Sequence, residues 1–130
     1  MVQVQTMLNV ADNSRGKSAQ CIKIFKGKKA QIGNIILVSL KKLKPLKKNQ
    51  KSKVKKGQIY RALVLRTTDF YRRSDSTYLR FSENAVLLLD SKNMKQTLCL
   101  AILGFATLPS TSLAVKKQSK NKSHNSFYLT

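Results

Sequence analysis

The stretch NIILVSLKKLKPLKKNQKSKVKKGQIYRALVLRT, residues 34–67, holds two apolar runs rich in β-branched and large side chains, separated by a segment with nine lysines between positions 41 and 56. Each apolar run is short and bounded by turn residues, which reads as a strand rather than a helix. A lysine-rich segment between two strands is an internal connection of a folded body, not a terminal cationic tail.

Outward from this pair, strand-like runs recur at residues 2–10, 20–25, 34–40, 58–67, 78–81, 85–89 and 98–103. Turn chemistry separates them: Asp12, Asn13, Ser14 and Gly16 in ADNSRGK, Gly33 and Asn34 in IGN, and Lys56-Gly57 before the fourth run. No helical periodicity of about 12 residues or more interrupts the first hundred positions. The chain reads as mainly β, an antiparallel barrel or sandwich. Ile35, Ile36, Leu37 and Val38, like Val86 to Leu89, are apolar on both faces. A small barrel turns one face inward, so a crossing segment, a terminal helix or a partner protein must cover the other. After Pro109 the sequence becomes polar and lysine-bearing, predicting a short helix near 110–118 and then a basic tail that orders only on RNA or a neighbour. The expected organisation is one domain over 1–108 with a lysine-rich insertion at 41–56, followed by a C-terminal extension over 109–130.

With 130 residues the chain suits one modest core. Its 26 Lys and Arg against 5 Asp and Glu give a formal charge of +21, a self-repulsion that a polyanionic partner relieves. The longest apolar stretch, LCLAILGFATL at 98–108, is too short to cross a bilayer and is expected as a core strand. MVQVQTMLNV alternates without charge, so no secretory or transit sequence is expected ahead of the first strand. Cys21 and Cys99 lack metal or disulfide spacing and read as buried, reduced thiols.

Catalysis is not expected. Asp12, Asp69, Asp75, Glu83 and Asp90 are scattered with no spaced pair, His124 stands alone, and no phosphate-cradling glycine loop occurs. No cofactor or metal is expected either. The basic residues carry more information. Arg15 and Lys17 lie in the first turn, Lys23, Lys26, Lys28 and Lys29 in and after the second run, and Lys41, Lys42, Lys55 and Lys56 at the ends of the lysine segment. Arg61 and Arg66 lie on the fourth run, and FYRRSDSTYLRF carries Arg72, Arg73 and Arg80. Lysine acts as a mobile point charge along phosphates, whereas the planar arginine fork grips one phosphate or stacks on a base. This division suits a folded RNA. Phe70 and Tyr71 could stack on unpaired bases, although Phe70, Tyr78 and Phe81 also read as core or rim residues. The alternative is a free-standing basic, OB-like regulator of single-stranded RNA or DNA, which should show an open aromatic platform on the sheet. A peripheral membrane protein should show an amphipathic helix with a basic face, and none is evident.

QTMLNVADNS (5–14), CIKI (21–24), GNIILVSLK (33–41), VKKGQIYRALVLRT (54–67) and YRRSDSTYLRFSENAVLLL (71–89) together resemble the universal L-fourteen family of large-subunit ribosomal proteins, in its bacterial or organellar type. The five blocks fall in the family's order and nearly its spacing over roughly residues 1–108. The resemblance implies a small five-stranded antiparallel β-barrel, OB-like, with a protruding β-ribbon and a short C-terminal helical segment. It implies binding to large-subunit rRNA, a place at the subunit interface with small-subunit rRNA in an intersubunit bridge, and the large-subunit proteins numbered three and nineteen as neighbours. A ribosome-silencing factor is a further implied partner. Carried over by matching positions, the implied RNA-facing residues are Asn13, Ser14, Lys23, Lys55, Lys56, Arg66, Arg72, Arg73 and Arg80, to which the charge pattern adds Arg15, Lys17, Lys41 and Lys42. Asn84 matches an asparagine that serves a turn.

The chain also departs from that pattern. Asp75-Ser76 stands where the family has Asp-Gly, Glu83 stands where it has glycine, and residues 44–53 expand a short linker. Ala101 and Phe105 replace an arginine and a proline, which points to packing against protein there. Abundant Lys, Asn, Leu and Ile suggest an AT-rich organellar genome, so the expected location is a mitochondrial ribosome, organelle-encoded, with plastid or bacterial cytoplasm as alternatives.

Overall fold

A computed structural model describes residues 1–46, 48 and 54–90. Seven strands occur in chain order: β1 (Met7–Val10), β2 (Gly16–Ile24), β3 (Ile35–Leu43), β4 (Ile59–Arg66), β5 (Tyr71–Arg72), β6 (Tyr78–Leu79) and β7 (Ala85–Leu89). Strands β1-β2-β3-β4-β7 form a closed barrel, and β5 with β6 forms a separate two-stranded ribbon. The mainly β expectation and the five-stranded barrel hold. Four seams are antiparallel, but β1 and β7 pair in parallel, with Asn9 opposite Ala85 and Val10 opposite Val86. An odd ring of strands cannot alternate direction at every seam, so closure with five requires at least one parallel pair; "antiparallel" is corrected in that respect.

Three boundaries differ from the sequence reading by three residues or more. β2 starts at Gly16, because its pairing with β3 runs out to Gly16 opposite Leu43. β3 therefore continues to Leu43 and carries Lys41 and Lys42, the first lysines of the run, on a strand. Val2 lies outside β1 and instead makes an isolated bridge to Ala30. The expected strand at 98–103, the helix near 110–118 and Cys99 lie outside the described residues.

Alternation fills the barrel. Leu8 and Val10, Ala19 and Cys21, Ile36, Val38 and Leu40, Ala62 and Val64, and Val86 and Leu88 point inward and are buried together. Val2 and Ala30 join this cluster from one side and Val54 from the other. Gly16 faces the same interior: a Cβ there would sit 3.1 Å from both Val10 γ-carbons and 3.2 Å from Leu40 Cδ2, so a side chain at the first position of β2 would require Val10 or Leu40 to give by a few tenths of an ångström. A second buried cluster, Leu63, Leu65, Leu87 and Leu89 with Ala11 and Ala85, is made by the alternate positions of β4 and β7. On the outer face burial is complete at the β4–β7 seam. It does not extend to Ile35, which is 39% exposed.

Candidate nucleic-acid interface

The strand directions sort the connections into two mouths. β2 ends, β3 and β7 begin and β4 ends at one mouth, from which the ribbon emerges; the other receives the β1–β2 turn and the lysine segment between β3 and β4.

At the ribbon mouth arginines are held by specific partners. Arg66, with its side chain only 12% exposed, donates from Nη2 to Glu83 Oε1 at 3.2 Å. Glu83 Oε2 accepts from Asn9 Nδ2 at 2.7 Å, so Glu83 ties β1 to β4 as well as holding the guanidinium. Arg80 donates from Nε to the Thr68 carbonyl at 3.0 Å and lies 5.3 Å over the Phe70 ring. Asn84 Oδ1 accepts from the Thr68 N–H at 3.0 Å, tying the segment before β7 to the one after β4. Arg72 is exposed on β5, and Arg73 begins the ribbon turn by donating its N–H to the Thr77 carbonyl at 2.9 Å. Lys23, Lys26, Lys28 and Lys29 are exposed on the same side, at the end of β2 and in the loop after it.

The ribbon turn shows why Asp75-Ser76 is a departure with a cost. Ser76 has φ 67°, in the left-handed region where glycine is comfortable and a Cβ is not. Asp75 Oδ1 compensates by accepting from the Thr77 N–H at 3.1 Å and hydroxyl at 2.6 Å, an Asx turn. Those two bonds, the hydroxyl first, hold the Asp75 carboxyl below its usual range.

At the other mouth the lysine segment is anchored at both ends. The Lys44 N–H donates to the Arg15 carbonyl at 2.8 Å, and Arg15 returns Nε and Nη2 to the Lys44 carbonyl at 3.2 and 2.9 Å. At the far end Val54 is buried in the barrel core and the Gly57 N–H donates to the Leu40 carbonyl at 2.8 Å. Lys17, Lys41, Lys42, Lys44, Lys48, Lys55 and Lys56 are exposed around these anchors. Val54 was not singled out from sequence; a lone valine among lysines was the signal available.

Beneath this mouth Asp12 is fully buried. Its Oδ1 accepts from the Ser14 N–H at 3.0 Å and from the Ser14 hydroxyl, and its Oδ2 accepts from the Leu88 N–H at 3.1 Å. Burial pushes the Asp12 carboxyl above its ordinary range, more strongly than the bonds from Ser14 and Leu88 pull it down. Ser14 is therefore turned inward as the partner of Asp12, while Asn13 beside it is exposed. Arg15 is half-buried and gives its guanidinium to the Lys44 carbonyl.

The aromatics divide by exposure, and only Tyr78 departs from the core-or-rim reading without having been named for stacking. Tyr71 and Phe81 are half-buried, whereas Phe70 and Tyr78 are 63% and 64% exposed. Elsewhere Arg61, on the outer face of β4, lies 5.2 Å over the Phe25 ring. Cys21 is buried, and burial raises its thiol above the usual range. Among the described residues no cluster of His, Cys, Asp or Glu could hold a metal ion. Residues 1–122 match the family model described as "Ribosomal protein L14p/L23e".

Proposed function

The chain belongs to the L14p/L23e family of ribosomal proteins, and we propose that it binds large-subunit rRNA through both mouths of its barrel. As a member of that family it is a structural constituent of the large ribosomal subunit, not an enzyme. In the proposed mode Arg72, Arg73 and Arg80 grip phosphates beside the ribbon, with Lys23 and Arg66 behind them. Asn13, Lys17, Lys41, Lys42, Lys55 and Lys56 neutralise a second stretch of backbone, and Ser14 and Arg15 shape the turn that presents them. The observation that carries this reading is the gathering of exposed cations at two anchored mouths of a barrel whose interior is filled by its own apolar side chains. A charge of +21 has no internal counterpart, and phosphate contacts supply most of such an affinity.

The test is a salt titration with large-subunit rRNA. If about six phosphates are neutralised, log affinity falls with log salt at a slope near −5; a flat response overturns the reading. The same proposal includes a place at the subunit interface touching small-subunit rRNA, the large-subunit proteins numbered three and nineteen as neighbours, and a ribosome-silencing factor as visitor. The quoted sequence blocks support these. The proposed location is a mitochondrial ribosome. Fractionating organelles on high-salt gradients, with mass spectrometry of the large-subunit peak, tests it; absence of the chain from that peak counts against it.

A further inference from the structure

Phe70 and Tyr78 are large aromatic rings left 63% and 64% exposed on a strongly cationic surface. Their centroids are 6.3 Å apart with the planes at 90°. In an edge-to-face pair each ring keeps at least one face free of the other. For Phe70 the Arg80 guanidinium lies over the ring at 5.3 Å. Tyr78, 64% exposed, carries no guanidinium over its ring among the described residues. It stands on β6, opposite Arg72 on β5, so beside Phe70 its cross-strand neighbour is an arginine. An apolar protein partner would find little there beyond two rings, whereas a nucleobase needs one flat face and a nearby cation for its phosphate. Arg80 supplies that cation: Nε is committed to the Thr68 carbonyl at 3.0 Å, which orients the guanidinium and leaves its two Nη groups as donors.

We infer that Tyr78, packed at right angles to Phe70, is a stacking surface for one unpaired RNA base, with Arg80 positioned to take the adjoining phosphate. This rests on the RNA-binding reading above and adds to it a contact with a base, where the other contacts are to phosphates. Stacking of this kind tolerates any base, since each offers a π-face. It also reassigns the aromatic role: Tyr71, beside Arg72, is half-buried, and Tyr78 takes its place.

The experiment uses the full chain with two oligonucleotides of equal length and phosphate number, oligoadenylate and the corresponding abasic oligomer. Wild type is expected to bind oligoadenylate about five- to a hundredfold more tightly than the abasic oligomer, the range for one aromatic–base stack. Tyr78→Ala should abolish that preference, and Tyr78→Phe should keep it. Arg80→Ala should lower the salt slope by about one with both probes. Because Tyr78 is exposed, its replacement should leave the far-ultraviolet circular dichroism unchanged. Equal binding of the two oligomers by wild type with a steep salt slope overturns the stack and leaves phosphate binding standing. A preference retained by Tyr78→Leu also overturns it, showing a mere apolar contact of the kind a protein partner makes. Failure of wild type to bind either oligomer removes the RNA-binding reading itself.

Discussion

The two mouths of the barrel solve the same electrostatic problem differently. At the ribbon mouth Arg66 and Arg80 are fixed by Glu83, the Thr68 carbonyl and the Phe70 ring, and the acids Asp69, Asp75 and Glu83 lie among them. At the other mouth exposed lysines stand on β3 and around a connection pinned at both ends, and Asp12 below them is buried beneath its hydrogen bonds. A fixed guanidinium pays its ordering entropy on folding and selects geometry; a lysine keeps its rotamers and contributes charge wherever a phosphate lies. The ribbon mouth should therefore set position and the lysine mouth should add affinity.

The most severe test of that division compares charge removal at each mouth. Replacing Arg72 and Arg73 by alanine should weaken incorporation into large subunits on the order of tenfold to a hundredfold. Replacing Lys44, Lys47, Lys48, Lys51 and Lys53 by glutamine should flatten the salt dependence but cost less than tenfold in incorporation, since a lysine contributes point charge where the arginine fork grips one phosphate. Substitution is cleaner than deleting 44–53, since deletion also removes the Arg15–Lys44 anchor. The reverse order in a sedimentation assay would show that the lysine segment is the anchor.

Asp12→Asn probes the support of the lysine mouth. Whichever way the new amide is turned, one of the N–H groups now served by the carboxylate, Ser14 or Leu88, faces an amino group. The expected cost is about 1–3 kcal/mol at neutral pH, read as a lower urea midpoint. Its pH dependence has a definite sign. The folded chain holds the Asp12 proton more tightly than the unfolded chain, so this residue's contribution is full below the ordinary carboxylate range and is lost as pH rises through the raised value. The penalty of Asp12→Asn relative to wild type should grow as pH falls from neutral; a shrinking penalty contradicts the burial argument.

Ser76→Gly acts at the opposite mouth, where relief of the left-handed serine should raise stability by about 0.5–1 kcal/mol and slow hydrogen exchange in the ribbon alone. The position also shows what could be read in advance. The replacement of Asp-Gly by Asp75-Ser76 was visible in sequence, but the strain at Ser76 needed the backbone angle. Likewise the inward residues of β3 and β4 follow from alternation, and the lysine segment follows from its apolar flanks. Asp12 is different: ADNS offers an Asx turn to Ser14, but nothing in it says that the other carboxylate oxygen is satisfied by a strand from the far end of the barrel. Arg66 and Glu83 are 17 residues apart in number, and their pairing exists only because β4 and β7 are neighbours. Long-range pairings of this kind decide which cations are free, and local pattern does not carry them.

Glu83→Gln gives the smallest and sharpest comparison. Glu83 holds Arg66 through an ion pair with 12% and 41% of the two side chains exposed, and it spends its other oxygen on Asn9. An amide keeps the Asn9 contact within reach and removes one negative charge from the ribbon mouth. If Arg66 is a latent phosphate ligand restrained by Glu83, rRNA affinity should rise a fewfold and the salt slope should steepen by no more than about one. If Arg66 serves only to tie β4 to the turn before β7, affinity should stay level while stability falls by about 0.5–1 kcal/mol, as for a partly exposed ion pair. The two readouts move in different assays, so a single variant separates a guanidinium held in reserve for RNA from one built into the wall.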